Sequence, residues 1–190
     1  MNNKEIKEMN ICNIFDAAEY GDINSLKKYY DGDINIVNKY TKLNLLQTVI
    51  CGNADIDKGI DIITFLLEEG IDINYVDSKD KQNALFNLYS STYFAGSKSL
   101  EGEYILEVTK KLVEAGIDIN HRDKRGAISL SYLVAGKLDS SRLQPVLELL
   151  FEKGVDFLSK DNFGNSCLDY AKMFSWRKDI VRLMEDRIND

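Results

Sequence analysis

The chain of 190 residues is 44% hydrophobic and 29% charged, which predicts a folded globular protein and excludes disordered and fibrous classes. Its formal net charge of −7 disfavours a general affinity for nucleic-acid phosphates, because that affinity comes from clustered Lys and Arg. The three cysteines form no C-x-x-C pair, so we expect neither a disulfide framework nor a zinc knuckle.

The chain begins with a polar segment. Residues 1–10 contain no apolar run, so they match neither a secretory leader nor a membrane anchor. The longest apolar runs, such as residues 62–67, are too short to span a bilayer. We therefore expect a cytoplasmic protein without a membrane partner.

A five-residue sequence, Gly-Ile-Asp-Ile-Asn, occurs unchanged at residues 70–74 and 116–120, with weaker copies at 32–35 and 154–158. Its last position is occupied by Asn35, Asn74, Asn120 and then Leu158, in steps of 39, 46 and 38 residues. Self-similarity at such a period is typical of stacked supersecondary units. The sequence therefore predicts one repeat array over residues 1–190.

Two helices are predicted in each repeat. Apolar residues at spacings of three and four precede Gly70, Gly116 and Gly154, which predicts a helix that each glycine ends in a left-handed conformation. Polar turns follow at residues 38–42, 77–82, 123–127 and 161–165. A second set of helices begins after these turns, each anchored by a leucine: Leu45, Leu85, Leu130 and Leu168.

This layout resembles the ankyrin repeat. The family pattern D-x-x-G-x-T-P-L-H aligns with Asn38-x-x-Thr41-x-Leu43-Asn44-Leu45, with residues 123–130 and with residues 161–171. A first repeat without its turn is resembled by Ile14-x-x-Ala17-Ala18-x-x-Gly21-Asp22. No copy keeps T-P-L-H intact, and the second carries an extra residue between Asp77 and Leu85.

The resemblance covers residues 12–187 and implies a fold. It implies an all-α ankyrin-repeat solenoid of about five helix pairs with short β-turn fingers. The N-terminal extension is residues 1–11, and the repeats are approximately residues 12–35, 36–74, 75–120, 121–158 and 159–190.

Extra residues, relative to the family period of about 33, fall between the two helices of a repeat. They lie at residues 53–59, 92–104 and 137–142. Insertions on one side of a solenoid often form a binding face, although a surface loop also tolerates lengthening at small entropic cost. The candidate partner-binding residues in these loops are Asp55, Asp57, Tyr93, Phe94, Glu101, Glu103 and Tyr104. The aromatic ones could equally pack back on the helices.

The resemblance also implies a concave binding surface, formed by the turn tips and the exposed side of the first helices. Its candidate residues are Tyr20, Lys39, Tyr40, Lys42, Lys79, Arg122, Lys124, Arg125, Phe163 and Met173. Alternatively, Phe163, Phe174 and Trp176 close the end of the array. Residues 36–43 and 121–128 together carry a charge of +4, so a partner on the turns would be acidic and one on the inserted loops basic.

Catalytic and metal sites are not predicted. His121, the one histidine, lies at a predicted turn with no adjacent serine or cysteine nucleophile, so we expect a structural or exposed role. Cys51 and Cys167 fall on helical positions that favour packing over reactivity. Asp55, Asp57 and Asp61 lack EF-hand spacing. We expect no cofactor, metal or small-molecule substrate.

These features favour a non-catalytic module that binds another protein. The acidic composition and the long insertions are similar to those of bacterial ankyrin-type immunity proteins, which neutralise a co-encoded toxin. In that interpretation Asp55, Asp57, Glu101 and Glu103 would contact a basic toxin domain. A host-directed effector or adaptor with the same fold is one alternative, and an enzyme of unknown type is another.

Overall fold

The computed structural model describes residues 11–94 and 103–189. Over these residues the chain forms ten α-helices and contains no β-strand or sheet, so the predicted all-α class is confirmed. The helices are α1 (Ile14–Tyr20), α2 (Ile23–Tyr29), α3 (Leu45–Cys51), α4 (Ile56–Glu68), α5 (Ala84–Ser90), α6 (Tyr104–Glu114), α7 (Ser129–Ala135), α8 (Ser140–Glu152), α9 (Cys167–Lys172) and α10 (Lys178–Asn189).

The helices pack in two series. In the first series α1 packs against α3, α3 against α5, α5 against α7, and α7 against α9. In the second series α2 packs against α4, α4 against α6, α6 against α8, and α8 against α10. Each predicted repeat segment contains one helix of each series. Successive helix pairs therefore stack on one another in chain order.

Left-handed glycines follow three helices of the second series, as predicted. Gly70, Gly116 and Gly154 have φ angles of 79°, 86° and 78°, a region in which a side chain would be strained. The next residue in each copy, such as Ile71 or Ile117, is buried in the hydrophobic core. The repeated sequence therefore ends a helix and places one apolar side chain in the core.

An asparagine ladder connects the loops that contain the repeated sequence. In each loop the asparagine side chain accepts a hydrogen bond from a backbone N–H of the next loop: Asn35 from Asp72 at 2.6 Å, Asn74 from Asp118 at 2.7 Å, and Asn120 from Asp156 at 2.8 Å. Leu158 occupies this position in the last copy, and no loop of this kind follows it among the described residues. The ladder therefore ends where the asparagine is replaced.

The turn before α3 differs from the sequence prediction by one residue. Asn38 N donates to Leu43 O and Asp77 N to Gln82 O, which makes both turns one residue longer than the turn closed by Asp123 N and Ala127 O. The prediction of an extra residue in the second copy alone was therefore wrong. As a result the second residue of α3, Leu46, takes the place of Leu85, Leu130 and Leu168, rather than Leu45.

Two of the three predicted loop insertions lengthen helices instead. Helix α4 begins at Ile56 and α8 at Ser140, and each contains 13 residues, so residues 56–59 and 140–142 are helical. In the remaining insertion, at residues 92–104, a 3₁₀ turn at Ser91–Tyr93 covers the beginning, and α6 already begins at the last residue, Tyr104. Glu101, a predicted contact residue, lies outside the described residues.

A buried arginine connects the last two helix pairs. Arg177 is 0% exposed, and its guanidinium donates hydrogen bonds to the carbonyl oxygens of Val134, Gly136 and Leu138 at 2.8, 2.7 and 2.6 Å. Gly136 has no room for a side chain, because a Cβ there would collide with Thr92. The segment after α7 is therefore held on both sides.

Candidate functional site

The candidate site begins with the row of polar turns that precede the helices of the first series. We call residues 38–43, 77–82, 123–127 and 161–165 the turn row. Neighbouring turns are hydrogen-bonded: Lys124 N donates to Asp80 O at 3.0 Å, and Asn162 N donates to Arg125 O at 2.9 Å. These bonds hold the last three turns side by side.

Side chains just before the turns strengthen the row. The Tyr75 hydroxyl donates to Lys42 O at 2.8 Å, and His121 Nε2 donates to Lys81 O at 2.8 Å. The guanidinium of Arg122 donates to Gly126 O at 2.6 Å and to Lys160 O at 3.0 Å. The ring of His121 therefore joins its turn to the preceding one. Arg122, a predicted contact residue, is exposed but uses these bonds to join two turns.

Each of the last three turns is built around a buried aspartate. Asp77, Asp123 and Asp161 are 5%, 6% and 8% exposed, and their carboxylates accept backbone N–H groups of their own turn. Two of them also accept a tyrosine hydroxyl: Tyr132 donates to Asp123 and Tyr170 to Asp161, both at 2.6 Å. The sequence analysis missed these tyrosines, although each follows its aspartate by nine residues.

These bonds change the acidity of both partners. Burial, followed by the hydrogen bond to Asp123, raises the pKa of Tyr132 well above its ordinary value. Burial alone would raise the pKa of Asp161, but the Tyr170 hydroxyl and the backbone N–H groups outweigh it, so this pKa lies below its usual range. Asp161 is therefore a structural carboxylate that is charged at neutral pH.

The aspartates lie inside the turns, so the exposed surface of the turn row is mainly cationic. The exposed side chains include Lys39, Lys42, Lys79, Lys81, Lys124 and Arg125. Asp80 is partly exposed and pairs with Lys124, which lowers the pKa of Asp80. A partner that approaches the turns therefore meets more positive than negative groups.

The predicted apolar contact residues of this surface are exposed. Tyr40, Phe163 and Met173 are 82%, 71% and 58% exposed, whereas Tyr20 is partly buried at the end of α1. The ammonium of Lys39 lies 4.8 Å from the Tyr40 ring centroid, so this tyrosine has a local cation–π contact.

The inserted segments divide into exposed and buried residues. Tyr93 and Phe94 are 38% and 69% exposed, as their predicted role requires. Tyr104 is 2% exposed, so its prediction as a surface contact was wrong: it is the first residue of α6 and packs in the core. Glu103, just before α6, is exposed.

The acidic residues of the first insertion lie on another part of the molecule. Asp57 is exposed in the first turn of α4. Asp55 precedes this helix, and its carboxylate lies 3.3 Å from the Lys58 ammonium. Both aspartates are therefore accessible, but one of them already has a cationic neighbour.

The fold brings together residues from both predicted surfaces. One cleft of about 140 Å³ is lined by Tyr93 of the insertion at residues 92–104 and by Arg125 and Phe163 of the turn row. The remaining lining residues are Ala127, Ser131, Tyr132, Ala135, Asp161 and Tyr170. The cleft therefore has aromatic walls, a cation, and hydroxyl groups already oriented by aspartates.

A second, larger cleft of about 560 Å³ lies between α3 and α5. Its lining combines polar residues, among them Gln82, Asn87 and Ser90, with apolar residues such as Ile50 and Phe94. The Asn87 Oδ1 atom is buried and accepts no hydrogen bond from the described residues. This cleft extends the candidate surface from the turn row along the first series of helices.

The cysteines differ in environment. Burial raises the pKa of the Cys167 thiol to about 12, so the predicted packing role of this residue is supported. Cys51 is helical as predicted, but it is exposed at the end of α3, so the packing role predicted for it is not supported.

Within the described ranges, no three His, Cys, Asp or Glu side chains gather closely enough to hold a metal ion. No helix among the same residues has the length and apolar character needed to cross a membrane.

A scan against protein-family models and a search of curated proteins find no match for this chain.

Proposed function

We propose that this protein is a non-catalytic ankyrin-type solenoid that binds another protein through its turn row and the adjoining cleft. The observation that carries the proposal is the cleft itself. It collects Tyr93 and Phe163, two exposed aromatic residues 70 positions apart in sequence, beside the cation of Arg125.

The ankyrin assignment is supported by the order of the elements. Each unit has a polar turn, a short helix, a loop and a second helix, and the pairs stack in chain order. The missing T-P-L-H sequence has local substitutes. Asn44 with Gln47, and Ser166 with Asp169, form capping boxes at the starts of α3 and α9.

Protein binding is supported by the type of side chain that the surface exposes. Water-facing aromatic rings contribute little to folding, whereas aromatic and arginine side chains are enriched among residues that dominate binding energy. The polar groups of the turns are already hydrogen-bonded, as the aspartate bonds show. Their rigidity lowers the entropic cost of binding.

The test is a selection from a displayed library of random polypeptide segments against the purified chain. We expect the recovered segments to lose about tenfold or more in affinity for a Tyr93→Ser, Phe163→Ser variant. Leu158→Ser is the matched control, because Leu158 is 45% exposed and lies outside the cleft. Equal binding to the cleft variant and the wild type, or no specific binder, would refute the proposal.

A toxin-neutralising role is a second candidate function, which would use a surface other than the turn row. It is supported by exposed carboxylates at Asp57 and Glu103, which suit a basic toxin domain. If the neighbouring gene encodes such a toxin, co-expression of this chain should protect cells from it. Protection should fall for an Asp57→Lys, Glu103→Lys variant and persist for Glu152→Lys. Full protection by the double variant would exclude this acidic surface as the contact.

A further inference from the structure

We infer that the partner presents an extended acidic segment with one apolar or aromatic side chain. The cations of the turn row bind the carboxylates of this segment, and its apolar side chain fills the cleft between Tyr93 and Phe163. This inference rests on the proposed function and adds the chemistry of the partner.

The first step concerns unpaired charge. Lys79, Lys81 and Arg125 are exposed, and no carboxylate of the described residues lies within ion-pair distance of them. The carboxylates of Asp77 and Asp123 accept backbone N–H groups inside their turns, and the carboxylate of Asp80 pairs with Lys124. These cations are therefore available to carboxylates of a partner.

The second step concerns the size of the cleft. Its volume of about 140 Å³ is well below the roughly 300–1,000 Å³ of pockets that enclose small-molecule ligands. One side chain of a partner is a better match. Phe163 and Tyr93 form aromatic walls, and Ala127 and Ala135 add apolar contact area. An apolar or aromatic anchor therefore suits it.

The third step concerns the shape of the partner. Backbone hydrogen bonds from Lys124 to Asp80 and from Asn162 to Arg125 keep the turns in a fixed row. Packed helices lie about 8–10 Å apart, and an extended chain covers that distance in about three residues. An extended segment with an acidic residue about every third position would therefore meet one turn after another.

A single-stranded nucleic acid is also anionic and stacks on aromatic rings. The observations favour a polypeptide. The chain as a whole has a formal charge of −7, and acids such as Glu107, Glu114 and Glu148 are exposed on helices of the second series. This charge opposes a long polyanion more than a short acidic segment.

The experiment uses a fluorescent peptide of about ten residues, long enough for three turns, with glutamates at every third position and a central phenylalanine. Three matched probes are the same peptide with lysine for glutamate, the same peptide with serine for phenylalanine, and a single-stranded oligonucleotide. Anisotropy titrations at low and high salt measure their affinities. We expect the acidic aromatic peptide to bind about tenfold more tightly than each of the other probes, and more weakly at high salt.

Variants locate the binding. Lys79→Glu with Arg125→Glu should lower the affinity of the acidic peptide about tenfold or more. The control variant, Lys110→Glu with Lys153→Glu, changes the net charge by the same amount at exposed positions of the second series. It should leave the affinity for the acidic peptide unchanged. Because all four side chains are exposed, the variants should fold, and circular dichroism with thermal unfolding verifies this.

The outcomes separate this inference from the proposed function. Equal binding of the lysine peptide, equal effects of the two charge reversals, or tighter binding of the oligonucleotide would overturn the acidic-segment inference. If the library selection yields cleft-dependent binders that are basic or neutral, protein binding stands and the acidic-segment inference fails alone. If it yields no specific binders, the proposed function fails first.

Discussion

Arg177 is a buried charged residue that joins the last helix pair to the pair before it. It lies in a 3₁₀ turn beside Trp176, which is 60% exposed and packs against Phe174 in a tilted arrangement with ring centroids 4.7 Å apart. The aromatic pair was an alternative for closing the end of the array, yet the buried side chain of this turn is the arginine. Its guanidinium is stabilised by hydrogen bonds to three carbonyl oxygens near the C-terminus of α7.

Replacement of Arg177 by Met should therefore destabilise the protein. The three carbonyl acceptors would lose their donors in a buried site, which should lower the free energy of unfolding by about 3–5 kcal/mol. Lys178→Met changes the neighbouring exposed residue and should have an effect below about 0.5 kcal/mol. Urea unfolding measures both. Similar midpoints for the two variants would contradict the role assigned to Arg177.

Two lysines adopt a backbone conformation that favours glycine. Lys42 and Lys81 have φ angles of 63° and 60° near the ends of the two longer turns, where the shorter turns contain Gly126 and Gly164. A side chain in this region costs about 1 kcal/mol relative to glycine.

Lys81→Gly should consequently stabilise the protein by up to about 1 kcal/mol, because the relief of strain exceeds the added freedom of the unfolded chain. Thermal unfolding measures this change. Lys79→Gly, two residues earlier in the same turn and without positive φ, serves as the control and should destabilise slightly. A lower midpoint for Lys81→Gly would show that its side chain has a compensating contact.

At the scale of elements, the asparagine ladder explains how loops far apart in sequence remain in register. Asn120 Oδ1 accepts from Asp156 N at 2.8 Å, and its Nδ2 donates to Gly154 O at 3.2 Å. Asn74 makes the same pair of bonds to Asp118 and Gly116. The asparagine that ends each repeated sequence thus connects neighbouring helix pairs, a role that the residues around it in the sequence did not reveal.

Asn120→Ala should lower the free energy of unfolding by about 1 kcal/mol, because it removes two exposed hydrogen bonds between loops. Leu158→Asn restores the consensus residue at the last position but should yield no comparable gain, since the described residues contain no later loop that could donate to it. Urea unfolding compares the two variants. A gain for Leu158→Asn as large as the loss for Asn120→Ala would contradict the ladder.

At the scale of the whole molecule, aspartates at caps and turns make stability depend on pH. The pKa values of Asp22, Asp139 and Asp169 are lowered mainly by hydrogen bonds from nearby serines, and that of Asp161 is lowered despite burial. A lowered folded pKa adds stability above the unfolded pKa, and this stability disappears as pH falls through the folded pKa.

The free energy of unfolding should therefore decrease below about pH 4, the ordinary aspartate pKa. Asp161→Asn should be less stable than the wild type at neutral pH, and the difference should narrow in acid, because the variant has no carboxylate to protonate. Urea unfolding across this pH range measures the narrowing. A constant difference would show that the charge of Asp161 does not contribute.

Sequence reasoning predicted the helices, their glycine ends and the polar turns, because these depend on neighbours within a few residues. The predicted position of the anchoring leucine in α3 was wrong by one residue: it is Leu46 and not Leu45. The reason is that the length of a turn depends on which backbone groups form the closing hydrogen bond, here Asn38 N and Leu43 O. Sequence reasoning also misplaced Tyr104, because an apolar residue at the edge of an insertion can begin a loop or a helix.

The sequence by itself determined that this is an all-α array, because the helical spacing of apolar residues and the recurring glycine are local signals. The tertiary structure alone decided which polar side chains face inward. It buries Asp161 and Arg177, exposes Arg125, and unites Tyr93 with Phe163. Such contacts join residues far apart in the chain, as from Arg177 to Val134 across 43 positions, and only the packing of successive helix pairs brings them together.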